Sequence, residues 1–164
     1  MKKILKVTLI ILLVALIIIQ LFKPAKNAAA EIPQNQITAK VPVPDNVMEI
    51  LKVSCYDCHS NTTKYPWYSR IQPVAWFLDN HIQEGKHHLN FSEFAQKAAR
   101  VQYKQLDEIG KEVKEGDMPL TSYTLIHRDA ILNEQQKLAI ENWVATSRKE
   151  MEAKFPPDSL KRKK

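Results

Sequence analysis

The sequence predicts an all-α protein, a small helical domain preceded by one apolar N-terminal helix. Apolar residues recur at helical spacing in separate stretches between Asp45 and Met151. Alternating runs of strand type are scarce, and only 3 glycines punctuate 164 residues, which disfavours all-β and nucleotide-binding α/β folds. The N-terminus is apolar without a polar face, so it does not read as a helix packed at a domain surface.

Met1-Lys2-Lys3-Ile4-Leu5-Lys6 leads into an apolar run from Val7 to Phe22, broken only by Thr8 and Gln20. With Ile4 and Leu5 this run approaches the roughly 20 residues that span a bilayer, and it exceeds the roughly 7 to 15 of a cleaved signal's apolar region. Residues 1–22 are therefore expected to form an uncleaved signal anchor, a single transmembrane helix with its lysine-rich start in the cytoplasm. Ala28-Ala29-Ala30 offers a competing cleavage site, from which Lys23, Pro24 and Lys26 detract. Residues 23–44, with Pro24, Pro33, Pro42 and Pro44 and little periodicity, read as a linker that sets the domain off the membrane.

The domain itself is expected over 45–155, with a basic tail at 156–164. Asp45 is suited to cap a helix carrying Val47, Ile50, Leu51 and Ser54 inward and running into the cysteines. Pro73 suits a first helical position, with Val74, Phe77, Leu78, His81 and Ile82 as the inward stripe until Gly85. Leu106, Ile109 and Val113 share a face of a third helix, stopped by Gly116, with Gly110 inside it costing about 1 kcal/mol relative to alanine. The last helix starts after Asn133, with Gln136 placed for a capping box and Ile140, Trp143, Val144, Ser147 and Met151 inward. Stretches 59–73 and 117–132 read as loops.

The formal charge of +6 resides at the ends. Of 24 basic residues, 5 lie in the first 30 positions and 4 in the last four, leaving 15 against 18 acidic ones over 31–160. A nucleic-acid-binding domain needs its basic charge on a folded face, so no nucleic-acid partner is expected.

Both cysteines of the chain lie in Cys55-Tyr56-Asp57-Cys58-His59. On one helical turn the thiols and the imidazole project to the same side. Two thiols so placed can form thioethers with the two vinyl groups of a haem while the histidine ligates iron, and the spacing is the signature of c-type haem attachment. A thioredoxin-type dithiol would want a βαβ surrounding, and a zinc site would want a further ligand set. An N-terminal export signal and a helical context fit haem c better.

For the opposite face of the iron, Met118 in Gly116-Asp117-Met118-Pro119-Leu120 is the leading candidate. Met48 and Met151 fall on helices, whereas Met118 sits in a loop bounded by glycine and proline. Its thioether otherwise merely covers apolar surface. Histidine alternatives are His81, His87, His88 and above all His127, nine residues beyond Met118 in the same loop. Tyr65-Pro66-Trp67-Tyr68 and Pro73-Val74-Ala75-Trp76-Phe77 would wall a haem edge or fill an ordinary core.

The chain resembles the bacterial haem-binding-domain family of small cytochrome c-like proteins. The resemblance covers roughly 43–148 and rests on CYDCHSNTTKYPWYSRIQPVAWFL at 55–78, HHLNFSEF at 87–94 and GDMPLTSYTLIHRDA at 116–130. It implies one covalent haem, an export-dependent location and a fold similar to class I cytochromes c, whose first and last helices cross at the haem edge. By position it implies attachment at Cys55 and Cys58, proximal ligation by His59 and distal ligation by Met118.

These readings lead to the expectation of a membrane-tethered monohaem electron carrier in the periplasm, anchored in a bacterial inner membrane, with redox proteins as partners and no enzymatic activity. A peroxidase-type enzyme with His127 as acid/base group is one alternative. A haem-based sensor or a subunit of a respiratory complex is another.

Overall fold

Among the described residues the regular structure is entirely helical, apart from one isolated antiparallel bridge between Ala28 and Thr62. The computed structural model describes residues 1–161, so Arg162, Lys163 and Lys164 of the expected basic tail lie outside the described residues. The α-helices are α1 (Lys2–Ile19), α2 (Asp45–Ser54), α3 (Tyr56–His59), α4 (Val74–His88), α5 (Ala99–Glu115), α6 (Thr121–Thr124), α7 (Glu134–Lys154) and α8 (Pro157–Leu160).

The expected transmembrane helix is corrected: no helix among the described residues is long and apolar enough to cross a membrane. The 18 residues of α1 include Lys2, Lys3 and Lys6, and the helix closes at Ile19. Its charge-free portion, from Val7, is about 20 Å long at 1.5 Å per residue, against about 30 Å of hydrocarbon. The apolar side chains of α1 are nevertheless exposed from Ile4 to Ile18.

The linker expected at 23–44 is also corrected, because this segment is woven into the domain. Ile37 and Val41 are buried core residues, and Ile37 N–H donates to the Phe91 carbonyl at 2.9 Å. Buried Asn27 donates from its side chain to the Ser60 carbonyl and to Thr63 Oγ1, and accepts from Lys86 Nζ. The prolines mark turns of a chain that follows the domain surface. At the other end α8 puts Leu160 into the core, so the domain runs past residue 155.

Local signals account for two of the helix ends. Asn133 and Gln136 form the reciprocal capping box at the start of α7, each bond 2.9 Å. Gly116 closes α5 at φ 81°, a left-handed conformation that glycine adopts without a Cβ penalty. Asp45 does not cap α2 but lies in its first turn after Pro44, where its charge still complements the helix dipole. Ile140, Trp143, Val144, Ser147 and Met151 all face inward as expected.

The core lies between α2, α5 and α7, with Phe91 and Phe94 from the connection after α4. Burying side chains of this size contributes about 1.5–3 kcal/mol each. The long α7 lies chiefly along α5, where Gly110 faces Val144, and also meets α2. Helix α4 departs from expectation. It continues through Gly85 to His88, and its buried stripe is Ala75 and Ile82, with Val74 and Phe77 exposed. Gly85 on this helix permits its close approach to α3.

Candidate functional site

Cys55, Cys58 and His59 are brought together where α2 breaks into α3. Cys55 has left helical geometry (φ −129°), and its carbonyl accepts from the Cys58 and His59 N–H groups at 3.2 and 3.0 Å. The three side chains thus share one turn, flanked by buried Ser54 and Ser60. Both cysteines are free thiols.

The segment after α4 fixes this turn. The Leu89 carbonyl lies 3.0 Å from His59 Nδ1, the Phe91 N–H donates to the His59 carbonyl at 2.8 Å, and the Phe91 ring stacks on Tyr56 at 5.0 Å. With Nδ1 donating its proton to the Leu89 carbonyl, the lone pair of the neutral ring lies on Nε2. Metal-bound histidines are generally oriented by such a bond. Gly85 seats α4 against the turn from the other side: a Cβ there would stand 2.8 Å from the Cys58 carbonyl oxygen. Leu89, Phe91 and Gly85 were not identified as positioning residues from sequence. The HHLNFSEF stretch that carried the resemblance was the available signal.

Burial sets the protonation states. It lowers the His59 pKa below its usual 6.5, which keeps the imidazole neutral and able to donate a lone pair. It pushes the Cys55 thiol up to about 12, with the neighbouring Cys58 adding to the effect, and the Cys58 thiol up to about 11, with Asp57 adding. Both are therefore protonated at neutral pH, the reverse of the activated thiolate a redox dithiol uses. No cluster of three or more His, Cys, Asp or Glu side chains among the described residues is arranged to hold a bare metal ion.

Met118 sits half-buried just beyond α5. Its N–H and that of Asp117 both donate to the Glu112 carbonyl, at 3.2 and 3.0 Å, so the helix terminus pins its backbone. The loop it opens reaches α3 through Tyr123, whose hydroxyl donates to Asp57 Oδ2 at 2.9 Å. His127 stacks on Tyr123 at 4.3 Å, and its Nε2 lies 2.6 Å from the Tyr68 hydroxyl. The two stretches expected as loops are thus joined face to face. They border an open cavity of about 260 Å³ lined by Val53, Asp57, Tyr65, Tyr123 and His127 among others. Val53, Leu125 and Ile126 are exposed apolar side chains on or next in sequence to this lining. His81 is tied to its own helix through the Phe77 carbonyl, and His87 and His88 are exposed at the end of α4.

The donor set suits a haem: two protonated thiols and an oriented neutral imidazole on one turn, beside an aromatic and apolar wall. A family model described as a haem-binding domain matches residues 14–146. No curated protein and no solved structure matches the chain.

Proposed function

The chain belongs to the haem-binding-domain family, whose model covers most of its length, and from that premise we propose that it is a monohaem c-type cytochrome carrying one electron at a time. The observation that carries this reading is the single turn Cys55–His59 with its imidazole oriented by the Leu89 carbonyl. Each thiol would add its S–H across one haem vinyl C=C, a balanced step that needs no oxidant and leaves two thioethers. His59 Nε2 would be the proximal ligand. The Met118 thioether is the proposed distal one, on a backbone already pinned to Glu112.

Haem, when bound, supplies a ferric/ferrous couple. A methionine opposite histidine favours the ferrous state and raises the potential. Two protein ligands would close both faces of the iron, so that an electron passes without bond chemistry at the metal. Val53, Leu125 and Ile126 would exclude water from the macrocycle's edge. Attachment to a bacterial inner membrane through α1, with the domain in the periplasm, is supported by the lysine-first apolar start and by the exposed apolar side chains of α1. Redox proteins are the expected partners.

The peroxidase-type alternative would require an open iron position and a distal acid/base group. His127 is the candidate for that group, and its hydrogen bond to Tyr68 is the observation that favours it. Fast binding of carbon monoxide or cyanide at rest would favour this alternative or a ligand sensor over a carrier.

The deciding experiment is acid-acetone extraction of the purified protein, followed by a reduced absorption spectrum and a haem stain on a denaturing gel. Haem is expected to stay with the polypeptide, and to be lost when Cys55→Ser and Cys58→Ser are combined. Extractable haem in the parent, or stain persisting in the double variant, overturns covalent attachment through these thiols.

A further inference from the structure

The junction between α1 and the domain is built, not loose. Gln20 and Gln72 are paired in both directions: the Gln72 N–H donates to Gln20 Oε1 at 2.9 Å, and Gln20 Nε2 donates to the Gln72 carbonyl at 3.3 Å. The Phe22 carbonyl accepts from Gln72 Nε2 at 2.7 Å and from the Trp76 indole N–H at 2.9 Å. Gln72 is fully buried, which partly shields its own bonds from competing water, while the Trp76–Phe22 bond is exposed. The start of α4 is therefore held to the end of α1.

Around this junction the surface is apolar and aromatic. Leu21 and Phe22 are exposed on the α1 side, and Ile71, Val74, Trp76 and Phe77 on the α4 side, Phe77 at 56 %. Ala75 and Ile82 take the inward face of α4, which leaves this patch without a use in the core. Exposed Lys23, Lys26 and Arg70 lie beside it in the chain. An apolar patch with tryptophan at its edge and basic residues next to it is the composition of a surface that meets anionic lipid headgroups.

Depth follows from length. Over its 18 residues α1 is about 27 Å long and its charge-free part from Val7 about 20 Å, both short of the hydrocarbon thickness. However it enters the bilayer, its polar end at Gln20 stays in the interfacial zone, which is roughly 6 Å deep on each side. Trp76, one hydrogen bond from Phe22, lies at that level, and Phe77 adjoins it.

We propose that the Ile71–Phe77 face rests on the membrane interface, clamped there by the bonds from Gln20 and Phe22 to Gln72 and Trp76. The domain then sits on the bilayer in one orientation. This rests on the proposed attachment of α1 to the membrane, and the test separates the two.

The holoprotein is placed in vesicles of phosphatidylethanolamine and phosphatidylglycerol at 3:1, about. Nitroxide labels are attached to Leu12→Cys, Phe77→Cys and Leu138→Cys variants, with the unsubstituted chain as the labelling background. Leu138 is an exposed control on α7, which packs on α5 and α2. Power-saturation spectra compare access of oxygen with access of a water-soluble nickel chelate. Labels at 12 and 77 are expected to favour oxygen and the label at 138 to favour the chelate. If 12 favours oxygen while 77 behaves like 138, attachment stands and the docked face is overturned. If 12 favours the chelate, attachment fails and docking fails with it. Protection of 77 only in native membrane vesicles, and not in pure lipid, would assign the patch to a protein and likewise overturn the proposal.

Discussion

His59 Nδ1 stands 3.0 Å from the carbonyl oxygen of Leu89, thirty residues away in sequence, and the Phe91 N–H returns a bond to the His59 carbonyl. The ring is held in one tautomer and, because burial lowers its pKa, in its neutral form. As pH falls, an unfolded histidine takes up its proton near 6.5 while the folded one resists. The unfolded state then binds more protons, so protonation favours unfolding. The haem-free chain is expected to keep the full His59 contribution above about pH 6.5 and to lose it progressively below. Urea midpoints at pH 7.5, 6.5 and 5.5 measure this, and His59→Gln should flatten the decline.

Gly85 and Gly110 both lie inside helices, yet alanine should act differently at each. At either site alanine gains about 1 kcal/mol of helix propensity. At Gly85 the new Cβ would be 2.8 Å from the Cys58 carbonyl oxygen, a backbone atom of the turn that cannot swing aside. Overpacking of this kind costs about 1–3 kcal/mol, so Gly85→Ala is expected to lower stability and haem loading. At Gly110 the contact is a Val144 methyl at 3.2 Å, which a small shift relieves. Gly110→Ala should be close to neutral. Urea denaturation of both variants makes the comparison.

The contrast shows what was legible in the sequence. The motif, the Asn133 capping box, the Gly116 stop and the inward stripe of α7 are local signals written within a few residues, and they were readable. The face of α4 was not: Val74 and Phe77 have the better hydrophobic spacing, yet Ala75 and Ile82 are the buried residues, and it is Gly85 that meets α3. Likewise the prolines of 23–44 suggest a free linker, whereas Asn27 and Ile37 find partners at Ser60 and Phe91 that only the folded chain brings near. The Tyr68–His127 pair, 59 residues apart, depends on two loops meeting and leaves no periodic trace.

The thiols of the haem-free chain should be poorly reactive. With Cys58 pushed up to about 11 from 9.0, its thiolate fraction at pH 8 drops by about a hundredfold, and that of Cys55 drops further. Iodoacetamide labelling at pH 8, followed by mass spectrometry, should proceed at least tenfold more slowly than in urea. Equal rates in both conditions would mean that the turn is open, and that a redox dithiol becomes the better reading of this pair.

Met118 is the most exposed part of the functional reading, because its backbone is pinned at Glu112 while the contacts that join its loop to α3 run through Tyr123. If its sulfur ligates iron, the ferric protein should show the weak long-wavelength sulfur-to-iron charge-transfer band, and Met118→Ala should remove it. The variant should also have a lower reduction potential, since a soft thioether stabilises ferrous iron relative to water or a nitrogen donor. Carbon monoxide should then bind readily where the parent resists it. Helical circular dichroism close to the parent's separates ligand loss from unfolding. His127→Ala is the matching control: it breaks the bond to Tyr68 and the stack on Tyr123, and should leave the band in place. If His127→Ala shifts band and potential while Met118→Ala does not, the histidine is the distal ligand. If neither matters and the parent binds carbon monoxide at once, the iron has an open face, and the Tyr68–His127 pair would then be read as its acid/base group.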